Sequence, residues 1–229
     1  EIIKDCELTI DEMKELQKYC SYKNIDFLST PFEIKSLKNL LSINIKAIKI
    51  SSCNLTNYPF LKEVAKTKLP ILLSTGMGNI EEVDKAVKIF KEANNPLLVF
   101  QCTSNYPSKI DNSNINVIKT YRDRYKVPIG LSDHTQNNIA AITAIVVGAV
   151  VIEKHFTISR ELPGIDQNAS IIPDELKQLV SDLKDSRLSL GSFEKFRSEE
   201  EMDTFNALRR SLVASKDISS GDIIKSDMI

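Results

Sequence analysis

The sequence has few histidines and lacks several patterns that mark common protein classes. Histidine occurs twice in 229 residues, and there is no G-x-G-x-x-G segment, which an open dinucleotide-binding sheet usually carries. No apolar run approaches the roughly 18 residues that cross a bilayer, and no signal-peptide pattern opens the chain. These absences argue against a dinucleotide-binding loop and a membrane span.

An excess of charge of either sign is also missing. Thirty Lys and Arg residues oppose 31 Asp and Glu residues, which gives a formal net charge of -1. A nucleic-acid-binding protein usually carries a basic excess or a basic stripe. Hydrophobic residues make up 42% and charged residues 27% of the chain, a mixture typical of globular rather than disordered proteins. We therefore expect neither nucleic acid nor a membrane among the partners.

The cysteines form no C-x-x-C pair and lie in apolar or strand-like surroundings. There are four of them: Cys6, Cys20, Cys53 and Cys102. Disulfide frameworks belong to oxidising compartments and usually to small secreted domains. We interpret the four as reduced thiols of a cytoplasmic protein.

Short apolar runs rich in β-branched residues alternate with amphipathic segments. The runs are 25–29, 47–51, 70–74, 97–103, 127–132 and 150–156. They are nearly continuous rather than alternating, as in parallel strands that are covered on both faces. Capping-box spacing at Thr9 and Asn79, and entry residues at Asn57 and Pro173, predict helix starts between and around them. The sequence therefore predicts six β-α units and a parallel α/β fold.

The ends of these runs favour a (β/α)8 TIM barrel over an open sheet. Almost every predicted strand ends in hydroxyl, carboxylate or imidazole side chains, which a barrel collects on one face. A barrel needs eight strands and the sequence supplies six, so we expect the first two to be missing from this chain. The expected domains are a partial barrel at 1–190, a linker at 191–210 and the start of a small β-containing domain at 211–229, where 211–214 is predicted to be a strand.

Both histidines follow the ends of successive predicted strands. Alternation places Ser132 and His134 on one face of one strand, and Glu153 and His155 on one face of the next. Adjacent strands lie about 4.8 Å apart, so the two imidazoles can share an ion. Two nitrogens with remaining positions open favour Mn²⁺ or Mg²⁺ over closed structural zinc.

Lys49 is the second unusual residue, because it lies inside a strand that should be covered on both faces. A buried ammonium needs an anionic partner. An interior Asp or Glu is one possibility and an anionic ligand is the other. The ligand is favoured by hydroxyls at the surrounding strand ends: Thr30, Ser52, Ser74 and Ser132. The segment Gly76-Met77-Gly78 offers backbone N–H groups to the same anion, although it also suits an ordinary turn.

Several segments, in this order along the chain, resemble the sialic acid synthase family. They are 49–52 with 54–59, 73–77, Cys102-Thr103-Ser104-Asn105-Tyr106-Pro107, Gly130-Leu131-Ser132-Asp133-His134-Thr135, Ile152-Glu153-Lys154-His155-Phe156-Thr157, and 209–214 with 216–218. The last segment resembles the start of that family's C-terminal antifreeze-like domain. The resemblance covers nearly the whole chain.

The resemblance implies condensation of phosphoenolpyruvate with an N-acyl amino sugar, such as N-acetylmannosamine, to give a nonulosonic acid and phosphate. It implies that His134 and His155 are metal ligands. It places phosphoenolpyruvate against Lys49, Thr30, Ser52, Ser74, Ser104 and Ser132. It places the amino sugar against Glu153, Asp166 and Tyr106, with Glu153 and Lys49 as the catalytic candidates. It also implies a homodimer in which the antifreeze-like domain reaches the partner's active site.

The sequence departs from the family pattern in three places. Gln167 stands where many relatives carry His, which bears on sugar specificity. The family's N-terminal strands, with their Glu and Lys/Gln pair, have no counterpart here, and the chain stops before the Arg of the antifreeze-like domain. We therefore expect a view of a longer enzyme that is cut at both ends.

Two alternatives remain open at this point. One is another metal-dependent 3-deoxy-sugar-acid synthase or aldolase that acts on a sugar phosphate. Such an enzyme needs extra basic residues for the second phosphate, and the loop 161–170 contains none. The other is a non-catalytic sugar-binding fragment.

Overall fold

Five parallel strands form one sheet, and they lie side by side in the order in which they occur along the chain. In the computed structural model, which describes residues 7–229, they are β1 (Ile48–Ile50), β2 (Ile71–Ser74), β3 (Leu97–Cys102), β4 (Ile129–Asp133) and β5 (Val151–Lys154). An open doubly wound sheet reverses its strand order at a switch point, and this sheet does not. The predicted parallel α/β fold is confirmed, with the strand succession of a barrel.

The helices form a second layer in the same succession. They are α1 (Ile10–Tyr22), α2 (Ile34–Ser42), α3 (Tyr58–Lys66), α4 (Ile80–Glu92), α5 (Val117–Tyr125), α6 (Ile139–Val147) and α7 (Pro173–Ser189); one more helix, α8 (Met202–Leu208), follows later in the chain and is not part of this layer. Contacts join α2 to α3, α3 to α4, α5 to α6 and α6 to α7. Each helix between strands thus packs beside the next one, as the outer ring of a barrel does.

The predicted helix starts are confirmed by their caps. The side chains of Thr9 and Asn79 each accept the backbone N–H three residues ahead. In turn, the carboxylates of Glu12 and Glu82 accept the backbone N–H groups of Thr9 and Asn79. Asn57 accepts the N–H of Phe60 at the start of α3. These bonds satisfy donors that have no partner within the first helical turn.

The core lies between the sheet and the helices. Ile48, Ile50, Ile71 and Leu73 of the strands are at most 1% exposed. The helices supply fully buried side chains to the same cluster, among them Leu61, Val64, Val83 and Phe90. Complete burial of such a side chain stabilises the fold by roughly 1.5–3 kcal/mol, which makes this cluster the main support of the site above it.

The predicted strand at 25–29 is wrong. Ile25 continues the end of α1, because its N–H donates to the carbonyl of Cys20, and its side chain is 64% exposed. Beyond it, the segment is held at Phe32, whose carbonyl accepts the side-chain amide of Asn54. An apolar run becomes a strand only where another strand pairs with it, and β1 forms its described ladder with β2 alone.

Residues 191–229 form a separate compact unit. It contains α8 and short 3-10 turns, and the N–H of Ser215 donates to the carbonyl of Met228. The predicted strand at 211–214 is wrong, because no ladder forms there and Leu212 and Val213 are exposed. The division into a barrel at 1–190, a linker and an antifreeze-like domain stays a prediction.

Cys20, Cys53 and Cys102 are free thiols, and Cys6 lies outside the described residues. Between residues 7 and 229, none of the helices is both long enough and apolar enough to cross a bilayer.

Candidate active site

Lys49 has a protein carboxylate as its partner, that of the partly exposed Glu153. Its Nζ lies 3.2 Å from Oε1 of Glu153 and donates to Oγ of Ser74 at 2.8 Å, while the side chain is 12% exposed. Ser132 donates its hydroxyl to the same Glu153 oxygen at 2.8 Å. A carboxylate of the protein therefore partners Lys49, although it is not fully interior, and the burial of Lys49 does not by itself require an anionic ligand.

The strands place these four side chains by alternation and register. Ile48 and Ile50 point into the core, so Lys49 between them points to the other face of β1. Ser132 and Glu153 are register partners on β4 and β5. Of the four hydroxyls predicted around Lys49, Ser74 thus contacts it directly and Ser132 reaches it through Glu153.

A second group surrounds Gly76. The N–H of Gly76 donates to Oγ of Ser52 at 2.9 Å, and Ser52 donates onward to Sγ of Cys102 at 3.6 Å. The Ser104 hydroxyl lies 3.9 Å from the same sulfur. A Cβ on residue 76 would lie 2.1 Å from Oγ of Ser104 and 2.8 Å from Oγ of Ser52. A side chain at position 76 would therefore displace both hydroxyls.

Cys102 is a site residue that sequence reasoning missed, because the pattern around it indicated only a reduced thiol. It is buried, and it is the register partner of Ser132 on the neighbouring strand. Its position was the available signal, because Cys102 lies two residues before Ser104 and strand alternation places both side chains on the same face. Burial alone would raise the pKa of the thiol, but hydrogen bonds with His134, Ser52 and Ser132 hold that pKa below its usual value.

The two histidines meet as predicted from their spacing. Their ring centroids lie 5.2 Å apart, and the Tyr106 ring packs against both, at 4.2 Å from His134 and 5.2 Å from His155. Nδ1 of His134 lies 2.8 Å from the carbonyl of Thr103. A carbonyl oxygen only accepts, so Nδ1 carries a proton, and in the neutral ring Nε2 keeps a lone pair.

Their surroundings shift the pKa values of the two imidazoles in opposite directions. Burial acts against protonation of His134, but hydrogen bonds with Cys102 and the Thr103 carbonyl raise its pKa above the usual value. Burial lowers the pKa of His155, although the nearby Asp166 carboxylate opposes the shift. His155 thus favours the neutral form, which is the form that ligates metals.

The described residues supply too few nitrogen or sulfur ligands for a closed zinc site. Within residues 7–229, no three His, Cys, Asp or Glu side chains converge as a group that could hold a metal. Two imidazoles side by side remain, and structural zinc takes four nitrogen or sulfur ligands. The Nδ1–H to carbonyl bond of His134 is the arrangement that orients metal-binding histidines.

Thr30 and Asp166 lie away from the Lys49 group. Both line a cavity of about 880 Å³ between the start of α2 and the loop 163–167, to which Gln167 also contributes. Asp166 also reaches toward the histidines, with Oδ2 3.7 Å from Nδ1 of His155. The cavity therefore adjoins the imidazole pair through Asp166.

The chain matches known proteins along most of its length. A model described as the NeuB family matches residues 1–195. The N,N'-diacetyllegionaminic acid synthase of Campylobacter jejuni is 37% identical over 97% of this chain and 68% of its own length. The human N-acetylneuraminate-9-phosphate synthase is 31% identical over 97% of this chain, which spans 62% of that enzyme.

A solved structure gives the same relationship. The crystal structure of N-acetylneuraminic acid synthetase from Leptospira borgpetersenii, in complex with citrate, is similar at a TM-score of 0.83 and 34% identity. The similarity covers 92% of this chain and 75% of that one. Together with the motifs at the strand ends, these matches show that the chain belongs to the NeuB family of sialic and other nonulosonic acid synthases.

Proposed function

We propose that the protein condenses phosphoenolpyruvate with an N-acyl amino sugar and water, and releases a nonulosonic acid and phosphate. The observation that carries the proposal is the contact between Lys49 and Glu153, with Ser74 and Ser132 bonded to the two charged groups. It sets an anion-binding cation beside a carboxylate that faces the reacting sugar. The new carbon–carbon bond joins C3 of phosphoenolpyruvate to the sugar aldehyde, water adds at C2, and phosphate leaves.

Phosphoenolpyruvate would lie between Lys49 and the group around Gly76. Lys49 has three N–H donors, of which one meets Ser74 and one faces Glu153. The third is available to an anion. The hydroxyls of Ser52 and Ser104 complete the proposed set, whereas Thr30 lines the neighbouring cavity and stays a predicted contact of phosphoenolpyruvate. Their role is positional and electrostatic, since fixed donors stabilise charge that develops in the transition state.

His134 and His155 would hold a divalent ion, Mn²⁺ or Mg²⁺. When bound, such an ion polarises a carbonyl oxygen as a Lewis acid. The Thr103 carbonyl holds the His134 ring by its Nδ1–H, which aims Nε2 away from the backbone. Tyr106 packs against both rings.

Glu153 would bind the amino sugar and exchange protons with its aldehyde or hydroxyl groups. Both of its described contacts fall on Oε1, so Oε2 is available to a substrate. Asp166 and Tyr106 would contact the same sugar. We propose N-acetylmannosamine or a related acylated hexosamine, because the relatives are named for legionaminic acid, pseudaminic acid and N-acetylneuraminate-9-phosphate.

The same proposal includes a cytoplasmic homodimer. In it, the antifreeze-like domain that we infer to begin at residue 211 would reach the partner's active site. Size-exclusion chromatography with light scattering on the intact protein tests the dimer, and a monomeric mass would contradict it.

The deciding experiment incubates the intact protein with phosphoenolpyruvate, Mn²⁺ and a panel of acylated hexosamines. The panel contains N-acetylmannosamine and the precursors of legionaminic and pseudaminic acids. We expect phosphate release with at least one sugar and a product whose mass equals the condensed acid. The Glu153→Gln variant is the control, because it keeps the size of the side chain and removes its charge. Phosphate release with none of the sugars would refute the proposal.

A further inference from the structure

Asp133 and Lys154 form a buried ion pair directly behind the site. Oδ2 of Asp133 lies 2.7 Å from Nζ of Lys154, and the two side chains are 2% and 3% exposed. Neither residue has a part in the proposed condensation. Each one immediately precedes a histidine of the imidazole pair.

The pair occupies the opposite face of β4 and β5 from the Ser132–Glu153 bond. Ser132 pairs with Glu153 and Asp133 pairs with Lys154 in the register of the two strands. Successive residues of a strand point to opposite faces. Two consecutive cross-strand pairs therefore join β4 to β5, one in the site and one behind it.

The buried pair also holds the conformation of the segment that follows β4. Lys154 donates to the carbonyl of Thr135 at 2.6 Å and lies 3.3 Å from that of Asn137. The other oxygen of Asp133 accepts the N–H of Thr135 at 2.8 Å. His134 stands between the two residues that are bonded in this way. Its backbone is thus fixed from both sides by one ammonium and one carboxylate.

Net stability is a poor explanation for such a pair. Taking two charges out of water costs about as much as their attraction returns, and apolar replacements of buried pairs are often neutral or stabilising. What the pair does provide is a definite geometry, because one ammonium binds three oxygens in a loop of five residues, Asp133 to Asn137. A packed apolar side chain would not specify these directions.

We propose that Lys154 and Asp133 are positioning residues that set the His134 imidazole against that of His155. The inference rests on the proposed function where it concerns metal, and on geometry alone where it concerns the two rings. The two cross-strand pairs then have different roles, since Ser132 and Glu153 contact substrate whereas Asp133 and Lys154 orient the imidazoles.

The test compares Lys154→Met with the double variant Lys154→Met/Asp133→Asn. The single change leaves a buried carboxylate without its cation, so a lower melting temperature is expected. The double change removes both charges and keeps an amide oxygen for the Thr135 N–H. We expect the double variant to regain most of the melting temperature, yet to bind Mn²⁺ at least 10-fold more weakly than wild type by calorimetry.

The ring signals give a second measurement that needs no metal. The chain has two histidines, so their C–H signals in a ¹H–¹³C NMR spectrum are assigned with His134→Gln and His155→Gln variants. In metal-free protein, the His134 signals are expected to shift or broaden in the double variant. Lys66→Met is the matched control, because that ammonium is 70% exposed on α3, and it should leave both sets of signals unchanged.

The outcomes separate this inference from the proposed function. If wild type binds no Mn²⁺, the proposed metal is wrong and the ring signals alone decide the positioning role. Unmoved His134 signals in a folded double variant overturn it. If wild type binds Mn²⁺, a double variant that binds within twofold of it overturns the positioning role as well.

Discussion

Nζ of Lys49 lies 3.2 Å from Oε1 of Glu153, although the two residues stand on the first and the last strand of the sheet. Four strand spacings of about 4.8 Å would separate β1 from β5 by about 19 Å in a flat sheet. That distance is longer than the two side chains can bridge. The sheet must therefore curve toward the face that carries both residues, as a barrel wall does.

This curvature is what turns separate strand ends into one site. Lys49, Ser74, Ser132 and Glu153 come from four different strands, and each contributes one polar group to the same small volume. In a flat sheet the same residues would lie along an edge, and a single small substrate would reach only the nearest of them.

Replacement of Lys49 by Met should abolish most of the synthase activity that we propose. The variant keeps the length of the side chain and removes the donor to Ser74 and the charge beside Glu153. Removing one group that stabilises transition-state charge commonly costs 10²–10³ in rate. We expect kcat/KM for phosphoenolpyruvate to fall by about 100-fold or more in a phosphate-release assay.

Lys88→Met is the matched control for that experiment, because Lys88 is 73% exposed on α4. Its kcat/KM should equal that of wild type. Circular dichroism of the Lys49→Met variant checks that the fold is kept, which is expected because Glu153 remains 39% exposed to water. A folded Lys49→Met protein with near-normal kcat/KM would refute the assigned role.

Much of the fold follows from local patterns that need no partner. The capping boxes at Thr9 and Asn79 and the runs that became β1 to β5 are recognisable from residues close together in the chain. The two histidines could be paired because they follow successive strands, whose neighbours in a parallel α/β fold are fixed by order. Local pattern and simple topology were sufficient for these elements.

Other features depend on partners that the sequence does not identify. The run 25–29 has strand composition, yet Ile25 bonds back to the end of α1. The sequence predicts an anionic partner for Lys49. Whether a protein carboxylate can be that partner depends on how far the sheet curves. The sequence around Cys102 predicts an ordinary reduced thiol, and only the fold brings Ser52 and His134 to it. Each of these outcomes is set by tertiary contacts.

His134→Ala and His155→Ala should each remove high-affinity Mn²⁺ binding. The site has two imidazoles, 5.2 Å apart, and no further group of metal ligands converges among the described residues. Loss of either ring therefore leaves one imidazole to hold the ion. Isothermal calorimetry on metal-stripped protein measures the change, and affinity should fall by at least 100-fold. The two-histidine site would be refuted by unchanged Mn²⁺ affinity in both variants.

Gly76→Ala should weaken binding of phosphoenolpyruvate by displacing two hydroxyls. The added methyl would lie 2.1 Å from Oγ of Ser104 and 2.8 Å from Oγ of Ser52, so both must move. We expect KM for phosphoenolpyruvate to rise by about tenfold or more, with a smaller change in kcat. The clash is with side-chain oxygens rather than backbone, so the fold should survive.

A second variant separates crowding from lost binding at this position. Gly76→Ala/Ser104→Ala removes the nearest clashing atom, and its melting temperature should exceed that of Gly76→Ala. Its KM should stay high because one anion-binding hydroxyl is gone. A double variant with a wild-type KM would show that Ser104 does not bind phosphoenolpyruvate.

Arg124 should stabilise the fold in a manner that depends on pH. It forms a bidentate pair with Asp84, joining α5 to α4, and its Nε donates to Oδ1 at 2.6 Å. The Arg124 bond, aided by the Tyr125 hydroxyl and opposed by burial, holds the pKa of Asp84 below its usual 3.8. A carboxyl whose pKa is depressed by folding adds stability above its unfolded pKa and loses it as pH falls through the folded value.

The Arg124→Met variant should therefore unfold at lower urea concentration than wild type at pH 6, and the difference should vanish at pH values below the depressed pKa of Asp84. Arg and Met have similar helix propensities, so the ion pair is the main change. The loss at pH 6 should stay below about 1 kcal/mol, because the two side chains are 50% and 33% exposed. Lys119→Met on the same helix is the control and should show no pH-dependent difference from wild type. If the Arg124→Met deficit did not shrink as the pH was lowered from 6 into the acid range, lost packing of the guanidinium stem, rather than its charge, would explain it.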